Sequence, residues 1–146
     1  MPNYYDGTDI LWDGTVGDFV IDNKGDLADT SHDALQAIAQ YIYTVVKSDR
    51  GDWPEASRVG ATLSDFVGEP NNAENGANIK KRLTTALQAY GTIKLSDVFV
   101  DVVPISKEQV AVTLSLSVMP TARNKSSRVI KRTYIYSYLE NHTYGR

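Results

Sequence analysis

Carboxylates are the most plentiful reactive groups in this chain, which carries 18 Asp and Glu against two His and no Cys. Glu69 stands beside Pro70 in a loop, with Asp65 and Glu74 close in sequence. A pair of such acids held at a fixed separation across a sugar-sized cleft is what glycoside hydrolysis uses. Spacing along the chain does not set that separation, and the plain reading of these acids is as loop and capping residues. His32 and His142 lie far apart, each next to a polar turn, where a histidine is structural or solvated rather than a general base. No glycine-rich phosphate loop and no metal-ligand spacing appears. Asp22-Asn-Lys-Gly-Asp26 has the flavour of a calcium loop but lacks the alternating oxygen ligands and the closing Glu. Asn124-Lys-Ser and Asn141-His-Thr fit the glycosylation acceptor pattern, which has meaning only on a secretory route. The missing cysteine removes disulfides, thiolate metal sites and thiol catalysis together. The expectation is a chain that is not an enzyme, with no catalytic residue, no metal and no cofactor.

Charge is more informative than chemistry. The net charge of -3 hides a split: residues 1–108 carry 9 basic against 17 acidic groups, and residues 120–146 carry 6 against 1. Such asymmetry means that the two ends meet different surroundings, and a neighbouring copy of the same chain suits both. The acidic body would repel a polyanion, so the basic tail is not expected to bind nucleic acid directly. Nothing approaches the roughly 18 apolar residues of a membrane span, and no membrane partner is expected. Met1-Pro-Asn-Tyr-Tyr-Asp-Gly7 lacks the basic-then-apolar pattern of a signal peptide, and the expectation is synthesis in the cytoplasm.

At 146 residues the chain fits one main domain. Residues 1–17 show no sustained period and read as an extended N-terminal arm with Trp12 as an anchor. Phe19-Val-Ile21 and Leu27-Ala28 flank a turn-rich loop, which predicts a small hairpin. Thr30 or Ser31 is a candidate N-cap for a helix carrying Leu35, Ile38, Ala39, Ile42, Val45 and Val46 at helical spacing and ending near Ser48. Leu63, Phe66 and Val67 suggest a short helical turn, stopped at Gly68-Glu-Pro-Asn71. Ile79, Leu83, Ala86, Leu87 and Tyr90 then fall on one face of a second helix, from Asn78 to a close at Gly91. Val98 to Val103 and Val110 to Val118 alternate as strands. Beyond Pro120 comes a basic, Tyr-rich C-terminal arm, 120–146, in which Thr133 to Leu139 alternates again. Arg123, Lys125, Arg128, Lys131 and Arg132, with Tyr134, Tyr136 and Tyr138, form its candidate partner-binding surface. The predicted class is α+β: a small mixed sheet packed by two amphipathic helices.

In order and spacing, residues 18–119 resemble the sheath-initiator family of contractile tails, the small baseplate-wedge protein also found in type VI secretion baseplates. The resemblance rests on the Val20-Ile-Asp-Asn-Lys-Gly-Asp-Leu27 hairpin and on Ala34-Leu-Gln36 opening a helix. It continues through Gly60, Leu63, Asp65-Phe66 and Gly68-Glu-Pro-Asn71 to a helix ending in Ala86-Leu87 and two strands with a valine-rich first member. It implies a fold similar to the strand-exchanging domain of the sheath subunit. It also implies a structural role in the virion: a baseplate subunit, made in the host cytoplasm, that templates sheath polymerisation by β-strand exchange. The implied partners are the tail sheath protein, baseplate wedge proteins, the tail tube or hub, and neighbouring copies in a ring, six by the family's symmetry. The family commonly carries Glu-Pro-Arg at the end of its last long helix, a wedge contact. Here Tyr90, Gly91 and Thr92 hold that place, and the motif is not kept. A lysozyme label attached to some members makes a peptidoglycan-degrading tail enzyme the alternative, with Glu69 as its candidate acid. As a further expectation, Tyr134 to Leu139 adds to the sheet of an adjacent subunit, steered by the basic residues before it.

Overall fold

The computed structural model describes residues 8–14, 16–31, 33–89, 97–118, 128–140 and 142–145. Its first elements are two short paired strands, β1 (Trp12–Asp13) and β2 (Asp18–Phe19), followed by helix α1 (Ala34–Lys47). Helix α2 (Ala73–Leu87) leads to the main sheet of β3 (Val98–Pro104), β4 (Gln109–Val118), β5 (Arg128–Ser137) and β6 (His142–Tyr144), in that spatial order. The architecture is α+β, and the strand directions are antiparallel throughout rather than mixed.

Both helices bury the stripes that their spacing predicts. Ile38, Ile42 and Val45 of α1 and Ile79, Leu83 and Leu87 of α2 are almost wholly buried against one face of the sheet. That face is built from Val100, Val110, Val112, Leu114, Leu116, Ile130, Tyr134 and Tyr136, the inward half of each strand's alternation. The cap of α1 is Asp33, whose carboxylate accepts from the Leu35 N–H, and not Thr30 or Ser31. Thr30 is instead buried, its hydroxyl accepting from the Asp9 N–H at 2.8 Å. Helix α2 begins five residues before the expected Asn78, because Asn72 caps it by accepting from the Asn75 N–H. The apolar stripe starts only at Ile79, so periodicity could not reveal the first turn. The expected close at Gly91 lies outside the described residues.

The N-terminal lobe is more tied down than an extended arm. Leu11 donates to the Ala28 carbonyl, Val20 to that of Leu11 and Ala28 to that of Val20, which binds three segments into one unit. An isolated bridge pairs Ile21 with Leu27 across the expected turn. Gln40 fixes the lobe to α1: its side-chain oxygen accepts from the Trp12 N–H at 2.8 Å. Its Nε2 donates to the Asp9 carboxylate and to the Ile10 carbonyl. Trp12 packs edge-on against Phe19 with ring centroids 5.2 Å apart.

Candidate interaction surfaces

The basic, Tyr-rich tail is not an arm. Residues 128–137 pair with β4 over ten positions, from Gln109 opposite Ser137 to Val118 opposite Arg128, and β6 covers part of the other edge. Tyr134, Tyr136 and Tyr138 are core residues at most 2% exposed, so none of them forms a partner surface. The alternation of this stretch was legible, but its aromatic face turns inward because three large rings bury more apolar area there than Thr133 and Ile135 would. Ile135 to Ser137 have partners on both sides and cannot join a neighbour's sheet without displacing β6, whereas the outer edge from Arg128 to Tyr134 is left unpaired by the described strands. The Tyr136 hydroxyl donates to the Leu63 carbonyl at 2.6 Å, and its ring packs edge-on against Tyr138. Burial pushes the Tyr134 and Tyr136 hydroxyls up to about 12, against a partial offset from Arg132 at Tyr134.

The basic residues are dispersed by the same pleat. Lys131 faces the open side of the sheet, whereas Arg132, one residue on, is half-buried on the helix side, where it lines a cleft with Trp12, Gln40 and Tyr43. Arg128 is exposed at the start of β5. Arg123 and Lys125, and the wedge positions Tyr90, Gly91 and Thr92, lie outside the described residues.

The acids considered for hydrolysis do not converge on one cavity. Asp65 lines a cleft of about 630 Å³ between the Arg50 loop and α2, where it is ion-paired with Arg82 at 2.5 Å. Glu69 and Glu74 are exposed, and neither lines that cleft. In the Asp22 turn the carboxylate accepts from the Lys24 and Asp26 N–H groups, which ties it into the loop itself. No group of three or more potential ligands converges on a metal site among the described residues. His142 is exposed on β6 and packs against Tyr144, and His32 lies outside the described residues.

Besides the outer edge of β5 from Arg128 to Tyr134, which β6 does not pair with, two surfaces remain that no described element covers. The first is the outer edge of β3. Ile105 donates to the Gln109 carbonyl, and antiparallel alternation from that pair directs Phe99, Asp101 and Val103 toward β4 for hydrogen bonding. The main-chain groups of Val98, Val100 and Val102 therefore point away from β4 to the open edge. Beside that edge runs a groove of about 430 Å³ bordered by Ala73, Gly76, Ala77 and Lys80 of α2 and by Asp101 and Val102. Lys80 places its ammonium 5.4 Å from the centre of the Phe99 ring. Since Phe99 faces the side away from the helices, Lys80 passes the open side of β3 to reach it.

The second surface is the sheet face opposite the helices. Along β4 its residues are all small, Ala111, Thr113, Ser115 and Ser117. On either side stand Phe99, Asp101 and Val103 of β3 and Val129, Lys131, Thr133 and Ile135 of β5. The result is a trough whose walls mix apolar and charged residues, and whose middle carries the Thr113 and Thr133 hydroxyls 3.2 Å apart. Sequence alternation set Ala111, Thr113, Ser115 and Ser117 apart from the core face of β4, but only the register reveals the trough. Comparison with protein-family models, with curated proteins and with solved structures returns no match to this chain.

Proposed function

We propose that this protein is a structural baseplate subunit of a contractile tail on which sheath polymerisation starts by β-strand addition. The observation that carries the reading is the open edge of β3, which presents the main-chain donors and acceptors of Val98, Val100 and Val102 beside the small-residue groove of α2. An incoming strand would gain main-chain hydrogen bonds from the edge and room for side chains over Gly76 and Ala77, the two ingredients of strand addition. Lys80, lying past the edge, would deter indiscriminate pairing until the proper strand displaces it. This moves the site from the C-terminal strand, whose Ile135–Ser137 end already pairs with β6, to β3. The chain then acts as acceptor for a strand of the sheath subunit. Tyr90, Gly91 and Thr92 stand at the family's wedge-contact position without its Glu-Pro-Arg motif, so a link to the wedge would be built differently here.

The test mixes the protein with a contractile-tail sheath subunit and images the product by electron microscopy. The wild-type chain is expected to seed short sheath-like rings. Val102→Pro removes one edge-facing N–H that β4 does not use, and proline is tolerated at such an edge position. Ala77→Arg fills the groove from an exposed site. Both variants should fold and fail to seed. Equal seeding by both would refute strand addition at β3.

A further inference from the structure

Arg132 interrupts the inward face of β5. Ile130, Tyr134 and Tyr136 on the same side are core residues, yet the position between Ile130 and Tyr134 carries a guanidinium. A charge where alternation calls for an apolar side chain is a local conflict of the kind that marks a functional position. Arg132 is half-buried, donates to the Lys131 carbonyl at 2.9 Å and has no ion-pair partner among the described residues. It opens on a cleft of about 220 Å³ between the N-terminal lobe, α1 and β5, walled by Leu11, Trp12, Ala39 and Tyr43. Among the described residues no acid lines that cleft. Gly14 stands against the Tyr43 ring, where an added Cβ would come within 3.1 Å, so its lack of a side chain keeps that wall clear. Tyr134, wholly buried, has a hydroxyl with no hydrogen-bond partner among the described residues, and Arg132 and Tyr43 are both near enough to shift its ionisation. An unpaired guanidinium and an unpaired hydroxyl thus stand beside one aromatic-walled cleft.

We propose that this cleft binds a small carboxylic acid built on a single aromatic ring, its carboxylate on Arg132 and its ring between Trp12 and Tyr43. The N–H groups of Arg132 beyond the one given to Lys131 form a planar fork, which a carboxylate matches with two parallel hydrogen bonds. Partial burial strengthens that pairing, because little water competes for either group. Arg132 and Trp12 can only donate hydrogen bonds, and Gln40 already uses both ends of its amide on the lobe, so the cleft suits an acceptor. Size limits the rest of the ligand. A cavity of about 150 Å³ holds benzene, so about 220 Å³ takes one ring with a short acid and excludes a nucleotide. The cleft lies away from the β3 edge, and the inference does not rest on the strand-addition reading.

The test adds phenylacetate, up to about 10 mM, to the isotope-labelled full chain and follows the tryptophan indole N–H signals by NMR. The chain has two tryptophans, and Trp53→Phe identifies which signal is Trp12. The Trp12 signal is expected to shift with a dissociation constant of about 1 mM or tighter. That of Trp53, whose indole donates to the Ser48 hydroxyl and does not line the cleft, should stay in place. Phenylacetamide has the ring without the charge, and acetate the charge without the ring. Each should bind at least about tenfold more weakly. Arg132→Met should lose phenylacetate binding to a similar degree. Lys131→Met removes the same charge one residue away, on the opposite face of β5, and should bind like the wild type. An unmoved Trp12 signal overturns the proposal, as does equal binding of phenylacetamide or acetate. Undiminished binding by Arg132→Met, or an equal loss in Lys131→Met, does the same. The amide and acetate comparisons use the wild-type chain, so they remain decisive even where Arg132→Met fails to fold.

Discussion

The Tyr136 hydroxyl and the Leu63 carbonyl, 73 residues apart in the chain, share a buried 2.6 Å hydrogen bond that ties β5 to the turn before α2. Tyr136→Phe would leave that carbonyl buried without its donor, a loss of about 1–2 kcal/mol. The Tyr134 and Tyr138 hydroxyls are buried with no hydrogen-bond partner among the described residues. Removing them takes away a desolvated polar atom, so Tyr134→Phe and Tyr138→Phe are expected to be neutral or stabilising by up to about 1 kcal/mol. Urea denaturation of the three variants checks the order. A cost for Tyr134→Phe equal to that for Tyr136→Phe would mean that its hydroxyl has a partner.

The same tyrosines set the alkaline limit of the fold. Burial raises Tyr134 and Tyr136 from 10 to about 12 in the folded protein, while in the unfolded chain they ionise near the ordinary value. Between those values the folded state holds protons that the unfolded state has lost, so stability is intact below about pH 10 and falls as pH rises through 12. Each group contributes a slope of about 1.4 kcal/mol per pH unit in that window. Tyrosinate absorbance followed beside circular dichroism should show these two groups ionising together with unfolding. Their titration in a still-folded protein at pH 10 would contradict the assignment.

The two helices and the β3–β4 pair were legible in the sequence because each has one long apolar face, where a period of 3.6 or of 2 leaves little choice. The β5 strand was legible as alternation only from Thr133. Its first half, Arg128 to Arg132, is basic and turn-like by composition, and takes strand form because β4 offers ten residues of pairing. For the same reason the surface drawn from Tyr134, Tyr136 and Tyr138 failed. Alternation says that two faces differ but not which one meets the helices, and an all-tyrosine face can be read as wet or as core. The open β3 edge and the trough depend on register and strand order, which no local pattern carries.

Gln40 holds the N-terminal lobe through both ends of its amide, accepting from the Trp12 N–H and donating to Asp9 and Ile10. Gln40→Ala removes all of these partly solvated bonds, at a cost of about 1–2 kcal/mol that falls on the lobe rather than on the core. Hydrogen exchange should speed up in residues 8–31, with α2 and β3 to β5 protected as before. Uniformly faster exchange would show that lobe and core unfold as one unit.

Gly60 tests how tightly the loop after α1 is built. Its φ of +119° is unfavourable for any L side chain, and an added Cβ would sit 2.6 Å from the Asp49 carbonyl carbon and 2.7 Å from the Ser48 oxygen. The loop cannot back away freely, because the neighbouring Ala61 N–H donates to Val45 and the Thr62 N–H to Ser48. Gly60→Ala therefore combines backbone strain with a main-chain clash, for an expected loss of about 3 kcal/mol. Gly68 is the control: its φ is +84°, but nothing lies within 4 Å of an added Cβ. Gly68→Ala should cost only the left-handed strain, about 1 kcal/mol. The difference between the two in urea denaturation isolates the clash. Equal losses would mean that the Gly60 loop yields to make room, and that its contact with Ser48 and Asp49 does not hold it in place.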